Sequence, residues 1–201
     1  MPLVNPGFGQ RRQSSDRSRI PPGQYETRDF PVLSLGPTPH VLPEHFTLRV
    51  TGLVEKPQKW NWDELLALHH EEVVRDIHCV TKWSKLDSRW SVVSLDYIMQ
   101  VSGFSPDSNF LIAHSDDGYT TNIPLEAIRK GKAWVATSYD DSPISDEHGG
   151  PVRLLIPHLY FWKSAKWLAK LEFVADDAPG FWEVRGYHNH GDPWKEERYS
   201  E

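Results

Sequence analysis

The amino-acid sequence predicts an α+β protein built on a mixed β-sheet with short helices. Segments in which apolar and polar residues alternate with the period of a strand outnumber the segments that suit a helix. The helical segments are short and scattered among the strands. With 201 residues, the chain can bury a large core without a disulfide or a metal ion to stabilise it.

The first predicted strand is Phe46–Thr51, in which Phe46, Leu48 and Val50 alternate with polar residues before Gly52. The same alternation, or a short apolar run, predicts further strands at Val73–Cys79, Asn109–Ser115, Tyr119–Pro124, Trp134–Tyr139, Val152–Pro157 and Leu168–Ala175. These runs are far shorter than the ~20 apolar residues of a membrane-spanning helix, so no membrane span is expected.

Three short helices are predicted between the strands. Asn61 can cap a helix whose first turn carries favourable acidic residues and which we expect to run to about His70. Ser94 can cap a second helix that runs to Gly103. The third covers Pro124–Lys130, directly before a glycine that would end it.

The first 28 residues differ in composition from the rest of the chain. They are rich in arginine, glycine, serine and proline and have almost no apolar periodicity, which is typical of a flexible arm. We therefore expect an arm at residues 1–28 and one folded domain at residues 29–201. No apolar stretch follows the Arg11–Arg12 pair, so a twin-arginine export signal is rejected and a cytoplasmic location is predicted.

Charge and cysteine content exclude several classes of function. The formal net charge is −6, whereas proteins that bind nucleic acids usually carry a basic surface, so no nucleic-acid partner is expected. The single cysteine, Cys79, excludes an intramolecular disulfide and any zinc or iron–sulfur site that needs several cysteines of one chain.

Cys79 lies where an apolar strand is predicted to end and the polar segment Cys79–Lys85 to begin. A thiol at such a point can face a cleft, and positive charge from Lys82, Lys85 or His78 would lower its pKa and favour the thiolate. A lone cysteine is more commonly a small buried apolar side chain, and both interpretations stay open at this point.

A second candidate site lies in two cationic segments, His148–Arg153 and Lys163–Trp167. The two glycines of the first segment allow a backbone to come close to a ligand. Arg153, Lys163 and Lys166 can donate to the phosphate of an anionic cofactor. The alternative is a turn followed by a solvent-exposed face.

Taken together, three separated segments resemble the molybdopterin-binding domain of the sulfite oxidase family. The segments are Cys79–Ser84, Gly150–Leu154 and Lys163–Trp167, and their order along the chain is that of the family. The resemblance extends over about Phe30–Trp194. It implies the α+β fold of that domain and a cofactor made of molybdenum and a single pyranopterin.

The resemblance also implies binding roles for individual residues. In this family a cysteine thiolate holds the molybdenum together with the two dithiolene sulfurs of the pterin, and the matching residue is Cys79, whose soft sulfur suits the metal. The residues implied to hold the pterin and its phosphate are His114, His148, Arg153, Lys163, Ser164, Ala165 and Lys166.

The activity implied by the resemblance is that of a molybdenum oxidoreductase. Such an enzyme transfers an oxygen atom to or from a small substrate in a two-electron reaction. An external electron-transfer protein is expected, because the sequence shows no haem or flavin signature. Sulfite oxidases carry arginines soon after the ligand cysteine, whereas Lys82 and Lys85 occupy this region here. We expect Lys82 to orient an anionic substrate, and sulfite oxidation and reduction of an S- or N-oxide both stay open.

Two functions of other classes remain as alternatives. The chain would then be a non-catalytic molybdopterin-binding subunit or carrier within a larger redox complex, or a protein that uses the reactive thiol of Cys79 without a metal. Molybdenum content and turnover distinguish these functions from the enzyme.

Overall fold

The computed structural model describes residues 17–34 and 36–200, together with the backbone of residues 11–12. Over these residues the chain forms two β-sheets and three short α-helices. The large sheet contains β1 (Arg11–Arg12), β2 (Tyr25–Thr27), β5 (Glu71–His78), β6 (Trp83–Ser94), β9 (Trp134–Tyr139), β10 (Ser142–Pro143) and β11 (Arg153–Leu155). The small sheet contains β3 (Thr47–Gly52), β4 (Gln58–Asn61), β7 (Phe110–Ser115), β8 (Thr120–Pro124) and β12 (Leu168–Val174). The helices are α1 (Trp62–Leu66), α2 (Leu95–Ser102) and α3 (Leu125–Ile128).

Each sheet contains one parallel pair among antiparallel pairs. The path through the large sheet is β1-β2-β6-β9-β10, with β5 beside β6 and β11 beside β9. The small sheet has the order β4-β3-β12-β7-β8. The parallel pairs are β2 with β6 and β12 with β3. The α+β class with mixed sheets is therefore confirmed.

The seven predicted strands are all present, with ends within two residues of the predicted ones. The longest strand, β6, was not predicted. Its residues include Lys85, Asp87 and Arg89, which interrupt the apolar pattern, and its pairings with β5 and β9 shift register. Polar residues are tolerated in β6 because its pairing is irregular and the strand is partly exposed, while its aromatic residues still face the core.

Helices α1 and α2 confirm the predicted N-terminal caps, whereas α3 ends at Ile128, before the predicted end at Lys130, and has no side-chain cap. At α1 the Asn61 side chain accepts from the backbone of Glu64, and the Glu64 side chain accepts from the backbone of Asn61. The helix nevertheless ends at Leu66 rather than near His70, because the chain must enter β5 at Glu71 to pair with β6. Helix α2 has the predicted ends, with Ser94 as its N-terminal cap and a left-handed glycine after it.

Both faces of the large sheet are covered by apolar residues. On one face, side chains such as Val93 of β6 join the residues of the small sheet in the larger core cluster. On the other face, Trp83, Trp90 and Val92 of the same strand form a second cluster that includes Cys79. Because side chains alternate along a strand, β6 contributes to both clusters and places Cys79 beside an aromatic layer.

The N-terminal segment differs from the expected arm over the residues that the structure describes. Strand β2 pairs in parallel with the first residues of β6. Arg19 donates two hydrogen bonds to the carboxylate of Asp76, of 2.9 and 2.5 Å, and a third of 2.6 Å to Asp87. These polar bonds attach residues 17–28 to the large sheet despite their low apolar content. Residues 1–10 and 13–16 of the expected arm lie outside the described residues.

Among the described residues, no helix is long and apolar enough to span a membrane.

Candidate functional site

Cys79 begins a tight turn between the ends of β5 and β6. The backbone N–H of Lys82 donates to the Cys79 carbonyl at 3.0 Å, and the Cys79 N–H donates to the carbonyl of Trp83 at 2.9 Å. Lys82 has a φ of 78°, in the left-handed region that closes such a turn. The predicted position of the cysteine, at the point where a strand ends, is therefore confirmed.

The thiol side chain is 6% exposed and lies on the wall of a cavity of about 270 Å³. Six of the residues assigned to the site from the sequence line this cavity: Cys79, His148, Arg153, Ser164, Ala165 and Lys166. Aromatic side chains make up much of the remaining wall, namely Phe30, Trp83, Tyr119, Phe161, Trp162, Trp167, Trp182 and Tyr187. The structure thus brings together two segments that lie more than sixty residues apart in the sequence.

Arg153 is a fully buried cation without an acidic partner among the described residues. Its guanidinium donates to the carbonyls of His148, at 2.6 Å, and Ser164, at 2.9 Å. It also lies 4.1 Å from the ring centroid of Phe161. Burial lowers the pKa of Arg153 to about 9, which shows how weakly the protein itself compensates this charge.

Lys166 is the second cation of the cavity. Its ammonium group donates to the carbonyls of Leu33, at 3.0 Å, and Glu147, at 2.6 Å, but to no carboxylate of the described residues. Burial and, to a lesser degree, the charge of Arg153 lower the pKa of Lys166 to about 7. Two cations held by neutral carbonyls in one cavity form a site for an anion such as a phosphate.

His148 packs between the N-terminal segment and the cation pair. Its ring stacks on Phe30 at a centroid distance of 3.9 Å, and Nε2 donates to the Phe30 carbonyl at 2.9 Å. Nδ1 then accepts from the hydroxyl of Ser145 at 2.9 Å. Burial lowers the pKa of His148, so its imidazole is neutral and its orientation is set by these two hydrogen bonds.

Ser164 and Ala165 line the cavity and are held by hydrogen bonds to a neighbouring segment. The hydroxyl of Ser164 accepts from the backbone of Ile156 at 2.9 Å, and the carbonyl of Ala165 accepts from Leu154 at 2.8 Å. Gly149 of the preceding segment has a φ of 101°, and a Cβ there would lie 2.8 Å from the Cα of Lys166. Gly149 therefore allows the backbone to pack closely against Lys166. It does not line the cavity, so the expected close approach of this glycine to a ligand is not found.

The thiol is surrounded differently from the sequence-based expectation. Burial raises the pKa of Cys79, whereas a hydrogen bond of 3.2 Å from the hydroxyl of Thr81 and the charges of Lys166 and Arg198 act in the opposite direction. The expected cations are not among the groups that act most strongly on the thiol. Burial lowers the pKa of His78 to about 4, so it is neutral, and the ammonium group of Lys85 donates to the carbonyl of Arg28.

Three residues assigned from the sequence lie away from the cavity wall. Lys82 is exposed in the turn after the cysteine and does not line the cavity. His114 lies in β7 and bonds to Glu172 at 2.8 Å. Lys163 is fully buried and pairs with Glu183 at 2.6 Å. The contacts of His114 and Lys163 in the structure are thus with other parts of the protein.

Two end segments of the chain complete the site. Gln24 donates to the Cys79 carbonyl at 3.1 Å, and Phe30 packs against His148. In the C-terminal tail, Trp182 and Tyr187 line the cavity, and Arg198 donates to the Val80 carbonyl at 2.7 Å. The resemblance, which extends over about residues 30–194, includes Phe30 and most of the tail, and the late tryptophans Trp162, Trp167, Trp182 and Trp194 indicate an aromatic wall. The sequence could not place the contact from residues 30–36 on one residue.

Comparisons with known proteins agree with this geometry. The family described as "Oxidoreductase molybdopterin binding domain" matches residues 35–182. The chain is 41% identical to the oxidoreductase YuiH of Bacillus subtilis, over 96% of this chain and 98% of that protein. It is 31% identical to the putative protein-methionine-sulfoxide reductase subunit YedZ1 of Azospira oryzae, over 71% of this chain and 54% of that protein.

A solved structure shows the same fold. The chain matches the sulfane dehydrogenase SoxCD of Paracoccus pantotrophus with a TM-score of 0.64 and 17% identity, over 74% of this chain and 42% of that chain. The chain spans nearly all of YuiH but about half of YedZ1. Five residues of the cavity wall lie outside the region that the family matches, namely Phe30, Pro31, Leu33, Ser34 and Tyr187.

Proposed function

Because the chain belongs to the oxidoreductase molybdopterin binding domain family and is a molybdopterin-dependent oxidoreductase of the sulfite oxidase type, we propose that it reduces a small sulfoxide with electrons from an external carrier. The balanced reaction takes one sulfoxide, two protons and two electrons to one thioether and one water. The observation that carries the proposal is the single cavity that contains the thiol of Cys79 and the unpaired cations Arg153 and Lys166.

The residues present fit a molybdenum–molybdopterin cofactor. The thiol of Cys79 is a soft ligand for the metal. The cations lack acidic partners among the described residues, so the phosphate of the pterin would satisfy them. The indole N–H of Trp83, a residue of the cavity wall, is buried without a hydrogen-bond partner in the described part of the chain. A pterin ring would offer such a partner.

The bound cofactor supplies the two-electron redox change of the reaction. The chain's own residues hold and shield it. Cys79 fixes the metal, and the Thr81 hydroxyl donates to the same sulfur and stabilises its thiolate form. Arg153 and Lys166 hold the phosphate. The aromatic wall excludes water and strengthens the electrostatic interactions within the cavity.

Two observations support a sulfoxide over sulfite as the substrate. The cation expected to orient an anion, Lys82, does not line the cavity, and both cations that do line it are assigned to the cofactor. Trp162, Trp182 and Tyr187 line the cavity as well, and aromatic rings make favourable contacts with the sulfur of a thioether. The printed names of two relatives, YedZ1 and the catalytic subunit MsrP of Campylobacter jejuni, also refer to methionine sulfoxide reductase.

The test is expression in a host that makes the molybdenum cofactor. We expect stoichiometric molybdenum in the wild-type chain and oxidation of a reduced viologen dye when methionine sulfoxide is added. Cys79→Ser should lose both while keeping the circular dichroism of the folded chain. Lys82→Gln is the control and should keep both, because its side chain lies outside the cavity.

The outcomes separate the competing functions. Turnover with sulfite and an oxidising dye, without sulfoxide reduction, would reverse the proposed direction. Stoichiometric molybdenum without either turnover would indicate a cofactor carrier or a subunit of a larger complex. Absence of molybdenum together with a freely alkylated Cys79 would favour the metal-free thiol.

A further inference from the structure

A row of basic side chains crosses the outer face of the small sheet. Lys59 of β4 lies opposite Arg49 of β3, Arg49 lies beside Lys170 of β12, and Lys170 lies opposite His114 of β7. Residues in register on neighbouring strands share a face of the sheet. Both chain neighbours of Arg49 are fully buried, so this face is the outer one. We call these four residues the basic row.

The charges of the basic row are only partly neutralised. Glu172 accepts from Lys170 at 2.9 Å and from His114 at 2.8 Å. Arg49 and Lys59 are exposed and form no hydrogen bond or ion pair with any other residue that the structure describes. Burial lowers the pKa of His114, and the charges of Lys170 and Arg49 lower it further. Like charges on adjacent strands are destabilising. The basic row is therefore a local concentration of positive charge on a chain whose net charge is −6.

A groove of about 230 Å³ lies beside the basic row. Its wall includes His45, Arg49 and Lys59, and Asp116 is the acidic side chain among the described residues that line it. Trp167 lines both this groove and the cavity of Cys79. The groove and the proposed cofactor site therefore share a wall residue.

We propose that the basic row and its groove dock an acidic electron-transfer protein that supplies the electrons for sulfoxide reduction. This inference rests on the proposed function, in which each turnover consumes two electrons and two protons that the chain does not itself provide. Carboxylates of the partner would pair with Arg49 and Lys59, the two cations that the chain leaves unpaired. Electron-transfer complexes are small and transient, and their association depends on complementary charge.

The experiment measures binding and electron transfer separately, with reduced flavodoxin as the acidic probe. The test variant is Arg49→Gln/Lys59→Gln, and the control is Lys130→Gln/Lys132→Gln, which removes two exposed cations at the turn after α3. We expect the test variant to bind flavodoxin about tenfold more weakly at low salt in calorimetry, since rim charges govern such association. The control should bind as the wild type does. High salt should abolish the difference.

Turnover provides the second readout. Flavodoxin-driven sulfoxide reduction should slow in the test variant by the same factor, whereas viologen-driven reduction should be unchanged, because a small dye needs no docking surface. Failure of viologen-driven turnover in the wild-type chain would count against the proposed function and leaves the calorimetric result to decide the docking site.

Three results would overturn the docking proposal. The first is that the wild-type chain does not bind flavodoxin. The second is that the test and control variants bind flavodoxin with equal affinity. The third is that inorganic phosphate binds tightly to the wild-type chain and not to the test variant, while both proteins bind flavodoxin with the same affinity. That last result would assign a small-anion site to the groove.

Discussion

At the scale of single residues, the thiol of Cys79 receives hydrogen bonds from Thr81 of its own segment, but the positive charge near it comes from distant parts of the chain. The neighbours in sequence that were expected to activate it, Lys82 and Lys85, are not among the groups that act most strongly on it. The charges that favour the thiolate come from Lys166 and Arg198, more than eighty residues away in the chain. Burial opposes them by raising the pKa of the thiol. A ligand that replaces the proton with a metal removes this conflict.

Lys166 should make the stability of the cofactor-free chain depend on pH. Its pKa falls from 10.5 to about 7 on folding, so above pH 7 the unfolded chain binds a proton at Lys166 that the folded chain lacks. Stability should therefore rise with pH by about 1.4 kcal/mol per unit at most from this residue. Urea unfolding between pH 7 and 8.5, compared with Lys166→Met, isolates the contribution. Lys59→Met, at an exposed site, is the control, and equal pH slopes in all three proteins would contradict the prediction.

At the scale of elements, the C-terminal tail is attached to the fold by a buried ion pair. Lys163 and Glu183 meet at 2.6 Å and are 0% and 2% exposed. Glu183 also accepts from the hydroxyl of Thr121 and the indole of Trp162, both at 2.9 Å. Trp162 and Trp182, which are the chain neighbours of Lys163 and Glu183, line the cavity. The ion pair between Lys163 and Glu183 therefore positions part of the cavity wall. Lys163 thus influences the site through the tail that it holds.

Breaking this pair should cost both stability and cofactor. Lys163→Met leaves the carboxylate of Glu183 buried without its cation and should lower the free energy of unfolding by about 3–5 kcal/mol. Lys170→Met removes a partly exposed partner of Glu172 and should cost less than about 1 kcal/mol. Urea unfolding of the two variants and the molybdenum content of each test this. A Lys163→Met variant that is as stable as Lys170→Met would show that the pair does not hold the tail.

At the scale of the whole molecule, the cavity is assembled from distant parts of the chain, one of them the segment 115–119 that leads from β7 to β8. Four further parts complete it. They are the N-terminal segment around Phe30, the turn at Cys79, the segment 148–167 and the tail around Trp182. Both end segments also hold the turn itself, since Gln24 bonds to the carbonyl of Cys79 and Arg198 to that of Val80. A ligand in the cavity would therefore contact several distant parts of the chain at once.

Removal of the cofactor should lower the melting temperature of the chain. A ligand present at a hundred times its dissociation constant stabilises the folded state by about 2.7 kcal/mol. For a chain of this length, that corresponds to a shift of at least about 5 °C. Differential scanning calorimetry of the loaded and cofactor-free chains measures the shift. Cys79→Ser, grown in the same host, should melt like the cofactor-free chain, and a loaded chain that melts no higher would contradict the prediction.

The sequence by itself determined the fold class, most of the strands, the helix caps and the family. Each of these features leaves a pattern within a short stretch of sequence: alternation for a strand, a capping residue for a helix end, and a motif for the family. Local chemistry is therefore enough to identify them. The tertiary structure alone decided which charges reach the thiol, that Lys82 lies outside the cavity, that Lys163 pairs with Glu183, and which residues of the segment 30–36 line the wall. These features depend on contacts between residues far apart in the chain, where burial and hydrogen bonding to distant carbonyls govern each charge, and no local pattern encodes them.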